Sequence, residues 1–148
     1  IDLAPLYGRR QELPGYAEEL RAAGHIVPSR WLRGEHEYDG PEAIAPIEFR
    51  KLYAVEDCED LFEADCFVSF TEPQDSPHGR GGRHVEFGMA LATGRLLVVV
   101  GHRENIFHCC ECVSFCDTWR EAKERIAEIA AKIDIIKTVE QGGEPCPT

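Results

Sequence analysis

Cys66-Phe67-Val68-Ser69-Phe70, the loop Thr71–Arg83 with its two prolines and three glycines, the run Val85-Glu86-Phe87-Gly88-Met89-Ala90-Leu91-Ala92, and Leu96-Leu97-Val98-Val99-Val100 decide the fold. The first and last stretches are apolar along their whole length, the pattern of strands buried on both faces of a parallel sheet. The run from Val85 reads as a helix closed by Gly94, because the left-handed conformation just past a helix end suits glycine. Strand, crossover helix, strand is the building unit of a parallel sheet.

Working outward, Ile1-Asp2-Leu3-Ala4 reads as a short buried strand ended by Pro5, followed by the turn at Tyr7-Gly8 and the basic pair Arg9-Arg10. Leu13, Tyr16, Ala17 and Leu20 fall at helical spacing, which predicts a helix from Leu13 to Ala23 stopped by Gly24. His25–Pro28 is a second strand candidate, and Leu32–Gly40 a polar loop able to lie over a site. After Pro46, the residues Ile47, Ala54, Cys58 and Leu61 predict one buried face of a helix running to about Phe62, with Asp60 and Glu63 on its solvated side. Val113–Phe115 is the last strand, and Trp119, Ala122, Ile126, Ile129, Ala130 and Ile133 stripe a final helix. The expectation is one domain over residues 1–140 and a flexible tail over 141–148. Its architecture is an open α/β sandwich, a parallel sheet of about five strands with helices on both faces. Ligands of such sheets bind beyond the carboxyl ends of the strands, where strand order reverses.

The 148 residues carry 16 Lys+Arg against 27 Asp+Glu, a net charge of −11, and 43% of them are apolar. Such a chain buries a core without help from disulfides or metal. Its acidity works against nucleic-acid binding, since every phosphate contact adds like charge. The longest apolar run, Leu96–Val100, is far short of the ~20 residues of a membrane helix. These features predict a soluble chain with no membrane and no nucleic-acid partner. With no charged-then-apolar leader ahead of Ile1, they also predict a cytoplasmic one. Of seven cysteines, Cys109, Cys110, Cys112 and Cys116 crowd together, unlike a spread disulfide framework, so reduced thiols are expected. With His108 they could also form a zinc-stapled interaction module, although zinc sites prefer two ligand pairs separated by a longer insert.

Gly79-Arg80-Gly81-Gly82-Arg83-His84-Val85-Glu86 carries a glycine-rich loop from a strand into a helix, where close backbone approach and free N–H groups favour anions. It lacks both the Walker ending and the dinucleotide fingerprint spacing, so it admits a nucleotide phosphate without specifying one. The same loop would serve as an ordinary tight connection. Glu86 lies in the first turns of that helix, where the helix dipole keeps a carboxylate ionised, an arrangement met in plain helix acids and in nucleophiles alike. Asp57, one turn before Leu61, stands near the edge of the expected buried stripe.

Ile1–Ala4, Gly8–Gln11, Asp57–Asp65, Gly81–Gly88 and Gly101-His102-Arg103-Glu104-Asn105-Ile106-Phe107-His108 together resemble the nucleoside 2-deoxyribosyltransferase superfamily, which includes the deoxynucleoside 5′-monophosphate N-glycosidases. The most specific combination is an aspartate eight residues before the Asp of an Ala-Asp that enters a strand, then a Gly-rich loop and Val-Glu-Phe-Gly. The resemblance implies a flavodoxin-like fold and cleavage or transfer at the N-glycosidic bond of a 2′-deoxynucleoside or nucleotide, without metal or organic cofactor. Glu86 matches the nucleophile that forms a covalent glycosyl-enzyme intermediate, and Asp57 the acid that assists departure of the base. The implied partners are the small-molecule nucleoside or nucleotide and further copies of the chain, as a homodimer or higher homo-oligomer.

The remaining substrate-binding candidates follow from the same motifs. Gly82 and Arg83 would shape the sugar or phosphate pocket, and Asn105 belongs to the matching run. Asp2 occupies the place of a tyrosine that bonds the nucleophile, so it holds a proton or faces away, and Tyr7 is the alternative hydroxyl. Arg80 stands where the monophosphate hydrolases present a serine to the 5′-phosphate. With Arg9, Arg10, Arg83 and neighbouring histidines it would make a basic island. Two alternatives stay open: a 5′-monophosphate N-glycosidase, and an inactive nucleotide-binding or metal-stapled module.

Overall fold

The computed structural model describes residues 1–4, 11–33, 45–73 and 81–141, the last eight of these as helix backbone alone. The strands β1 (Asp2–Ala4), β2 (Cys66–Phe70), β3 (Leu96–Val100) and β4 (Val113–Cys116) form one all-parallel sheet in the order β1-β2-β3-β4. Register pairs Ala4 with Ser69, Phe70 with Val100, and Val100 with Cys116, so the carboxyl ends of all four strands line one edge.

Alternation along the strands divides the core into two layers. Leu3, Val68, Phe70, Val98, Val100 and Cys116 face α1 (Leu13–Ala22) and α4 (Trp119–Gln141), against Leu13, Ala17, Leu20, Ala122 and Ile126. Ala4, Phe67, Leu97 and Val99 face α2 (Ile47–Glu63) and α3 (Gly81–Ala92), against Leu61, Phe87 and Ala90. Each of the Leu, Val, Ile and Phe side chains among them contributes about 2 kcal/mol by leaving water. Trp119 closes the first layer, its ring 4.7 Å from Tyr16 and 5.6 Å from Phe70. Among the described residues no helix is long and apolar enough to cross a membrane.

The sheet has four strands among the described residues, not five, and the difference lies at His25–Ser29. Pro28 has no N–H to give a ladder, and this segment is not a strand. It nevertheless runs along the free edge of β1: the Ile1 amino group donates to the Ile26 carbonyl at 2.7 Å, and Leu3 N–H donates to Ser29 Oγ at 3.3 Å. A side-chain hydroxyl thus replaces the carbonyl that a regular strand would offer. The reversal of direction across the sheet falls between this segment and β2, at β1.

Two expectations about α2 are corrected. Its buried residues are Tyr53, Asp60 and Leu61, while Ile47 and Ala54 are exposed, so the stripe is turned from the expected Ile47, Ala54, Cys58, Leu61 face. Asp60, expected in solvent, is 4% exposed because Arg30 reaches it, whereas Glu63 is exposed as expected. Smaller differences are boundaries: α1 stops at Ala22 before Gly24 at φ 90°, α3 begins at Gly81 rather than Val85, and α4 reaches Gln141, the first residue of the expected tail. Most of the Leu32–Gly40 loop lies outside the described residues.

Candidate active site

The carboxyl edge is laced together at Thr71. Its N–H and its Oγ1–H both donate to the Val100 carbonyl, at 2.9 and 3.0 Å, and Oγ1 accepts from His102 N–H at 2.5 Å. Gly101 makes this possible: its φ is 114°, and a Cβ there would stand 2.8 Å from Thr71 Oγ1 and 3.0 Å from Thr71 O. Thr71, just after β2, is thereby tied to Val100–His102 at the end of β3 and forms the described part of a carboxyl rim.

Onto that rim α3 is fastened by Arg83, which falls on the helix's buried stripe with Phe87 and Ala90 and is itself buried. Arg83 Nη1 donates to the Phe70 carbonyl at 2.9 Å, and Nη2 donates to Glu104 Oε2 at 2.5 Å. Glu104 Oε1 accepts the Glu72 N–H at 3.0 Å, and the two ion-pair side chains are 2% and 0% exposed. His84 adds a second contact, its Nε2 3.8 Å from the same Glu104 oxygen.

Asn105 caps the short 3₁₀ turn Ile106–Cys109, its Oδ1 accepting from Phe107 N–H at 2.9 Å and His108 N–H at 3.3 Å. That fixes the amide, so Nδ2 faces His108 Nε2 at 3.2 Å and His84 Nδ1 at 3.4 Å. His108 is buried with its ring 4.7 Å from Phe87, and burial pushes its pKa below the ordinary value. The Asn105 amide meets the ring at Nε2, 3.2 Å away, and the Glu104 N–H meets it at Nδ1, 3.3 Å away.

Helical geometry then fixes where Glu86 lies. At about 100° per residue, with Arg83, Phe87 and Ala90 toward the sheet, His84 falls on one flank of α3 and Glu86 on the other. His84's flank meets Asn105 and the loop after β3, so Glu86 takes the flank toward α2. On α2, Asp57 stands four residues after buried Tyr53 and four before buried Leu61, and Leu61 packs in one cluster with Phe87. Asp57 and Glu86, both half-buried, therefore stand on two neighbouring helices of the same sheet face. On the same sheet face lies Ser69, fully buried, its Oγ without a hydrogen-bond partner among the described residues.

The other wall of α2 carries a separate cluster. Asp60 Oδ2 accepts the Arg30 N–H at 2.6 Å and Oδ1 accepts Arg30 Nε at 2.8 Å, while Arg30 Nη2 reaches the Glu56 carbonyl at 2.9 Å. Beside it Asp2, 6% exposed, accepts from Ser29 Oγ–H at 2.6 Å. Burial, and then the neighbouring Asp60 charge, push the Asp2 pKa up to about 6 against the Ser29 hydrogen bond, which pulls it down. Asp2 thus accepts from Ser29 and is kept protonated to higher pH chiefly by burial, with Asp60 as the neighbouring acid.

Of the sequence candidates, Asp57 and Glu86 stand on neighbouring helices of one sheet face, Arg83 on the buried stripe of α3, Asn105 beside His84 in the loop after β3, and Asp2 in the Ser29–Asp60 cluster. Gly82 is exposed at the start of α3. Tyr7, Arg9, Arg10 and Arg80 lie outside the described residues. Sequence reasoning missed Glu104 as a buried anchor and Asp60 as a buried ion-pair partner. The available signal was a charged residue on each buried helical stripe, Arg83 with Phe87 and Ala90, and Asp60 with Tyr53 and Leu61.

The cysteine cluster does not converge: Cys109 and Cys112 are exposed while His108 turns inward. Among the described residues no three His, Cys, Asp or Glu side chains are placed to hold a metal ion. Burial pushes the Cys66 thiol up to about 12 and raises that of Cys116. The chain matches no protein-family model, no curated protein and no solved structure.

Proposed function

We propose that the chain cleaves, and in the presence of a second base exchanges, the N-glycosidic bond of a 2′-deoxynucleoside or its 5′-monophosphate, on a flavodoxin-like scaffold. The observation that supports this reading is that Asp57 and Glu86, both half-buried, stand on α2 and α3, neighbouring helices packed on the same face of a parallel sheet. The flavodoxin-like assignment is supported by the segment His25–Ser29, which runs where an additional strand beside β1 would lie.

In this reading the Glu86 carboxylate attacks C1′ of the sugar, the C1′–N bond breaks, and Asp57 delivers a proton to the departing base. An ester of Glu86 with deoxyribose results. Water or a second base then attacks C1′, freeing Glu86, while the Asp57 carboxylate takes the proton that the acceptor releases. The exposed apolar side chains Leu52, Val55 and Phe62 on the outer side of α2 support assembly into a homo-oligomer.

The experiment is chromatography of free bases after incubation with a panel of deoxynucleosides and 5′-monophosphates, with and without an acceptor base. Base release by the wild-type chain, abolished by Glu86→Ala and slowed about 100-fold by Asp57→Asn, is the expected result. Exchange on nucleosides identifies a transferase, and release restricted to monophosphates a hydrolase. Release that is unchanged in Glu86→Ala would refute the mechanism.

A further inference from the structure

We propose that Glu104 is a positioning residue that locks the first turn of α3 to the carboxyl rim and so sets the place of Glu86; the task of Glu86 rests on the glycosidic reading above. Three chain segments meet on this one carboxylate. The loop after β2 contributes the Glu72 N–H at 3.0 Å, the first turn of α3 contributes Arg83 Nη2 at 2.5 Å and His84 Nε2 at 3.8 Å, and the loop after β3 contributes Glu104 itself. Packing alone does not hold that turn. It opens with Gly81 and Gly82, both exposed, and a Cβ added at either would meet nothing within 4 Å.

Glu86 follows Arg83 by three residues, so the Arg83–Glu104 pair fixes the rotation of the turn that carries it. A slip of the helix by a single residue would swing Glu86 through about 100° and move it about 1.5 Å along the axis. Displacements of that order cost about 100-fold in rate when the displaced group is the one that reacts. Glu104 is itself fully buried on the His84 flank, opposite that of Glu86, so its effect is on placement and not on substrate contact.

The test uses the full chain with Glu104→Gln and the double variant Arg83→Met/Glu104→Met, beside Glu86→Ala. Removing both charges leaves no bare buried ion, so the double variant keeps the fold where Glu104→Gln alone could lose it. Base release gives kcat and KM, and amide hydrogen exchange at Val85–Met89 gives the order of the turn. The expected result is kcat lowered about 100-fold in both variants with KM nearly unchanged, and faster exchange at Val85–Met89 against unchanged exchange in β3. Wild-type kcat in the folded variants, with Glu86→Ala inactive, overturns the positioning role and leaves the glycosidic reading standing. A raised KM with kcat intact also overturns it, because it marks a substrate contact. No base release by the wild-type chain overturns the glycosidic reading instead. Exchange then judges the lock alone: faster exchange sustains it, and unchanged exchange overturns it.

Discussion

Replacing Asp2 by Asn should make the protein more stable at neutral pH and leave it almost unchanged at pH 4. Asp2 is buried, bonded to Ser29 and close to the Asp60 charge, and its pKa stands at about 6 in the fold against an ordinary 3.8. The folded chain therefore binds this proton more tightly than the unfolded chain. Stability is fully present below about pH 4, falls as the unfolded carboxyl ionises while the folded one does not, and levels off above about pH 6. At about 1.4 kcal/mol per pH unit, the full loss is about 3 kcal/mol, of which about 2 kcal/mol falls between pH 4 and pH 7. Asn imitates the protonated acid at every pH, so the variant lacks this loss. Urea unfolding followed by the fluorescence of Trp119, whose stack on Tyr16 and Phe70 is lost on unfolding, gives both stabilities. The second amide N–H of Asn shifts the variant equally at both pH values, so the quantity to read is the change in the stability difference between them. Parallel pH curves for the two proteins would refute the claim that Asp2 is a buried, proton-holding acid.

Gly101→Ala should cost about 3 kcal/mol in urea unfolding, since the added Cβ would stand 2.8 Å from Thr71 Oγ1 on a backbone at φ 114°; a loss below 1 kcal/mol would mean the rim is soft. Asp60→Asn should lower stability at pH 7, leaving Arg30 with Glu59 as its one remaining carboxylate among the described residues, and should lower the pH at which Asp2 titrates. An unmoved Asp2 titration, followed by the Asp carboxyl carbon resonance, would show that the two acids do not feel each other. His108 adds a pH dependence of the opposite sign to that of Asp2. Its pKa is lowered by burial, so stability falls as pH drops through the ordinary histidine value, and His108→Gln should flatten that acid limb.

The strands were legible because burial on both faces removes the ambiguity of period: Cys66–Phe70 and Leu96–Val100 stand where their unbroken apolar runs put them. The face of α2 was not legible. Its buried stripe contains Asp60, whose carboxylate is satisfied by Arg30 thirty residues away, and no local pattern carries that distant partner. Arg83 is the same case on α3: an arginine in a glycine-rich loop reads as a surface cation until Glu104 is brought to it by the sheet. His25–Pro28 has the composition of a strand, but Pro28 removes a ladder N–H, and the edge of β1 is completed by the Ser29 hydroxyl instead. The candidate acids themselves, Asp57 and Glu86, were proposed from a resemblance of motifs alone. Nothing in the apolar periodicity singled out either one.

The two helices that carry those acids are fastened by the same device. On α2 it is Asp60 with Arg30, one turn beyond Asp57; on α3 it is Arg83 with Glu104, one turn before Glu86. Each pair binds its helix to a segment outside that helix, the 3₁₀ turn Arg30–Arg33 in one case and the loop after β3 in the other. Buried ion pairs of this kind add little net stability, because desolvation offsets most of the attraction and apolar replacements often do as well. What an apolar pair does not supply is direction: a guanidinium held by a carboxylate and a carbonyl at once admits one rotation of the helix. Two such fixings, each one turn from a candidate acid, hold the rotation of the helices that carry Asp57 and Glu86, which is how a supporting shell places reacting groups.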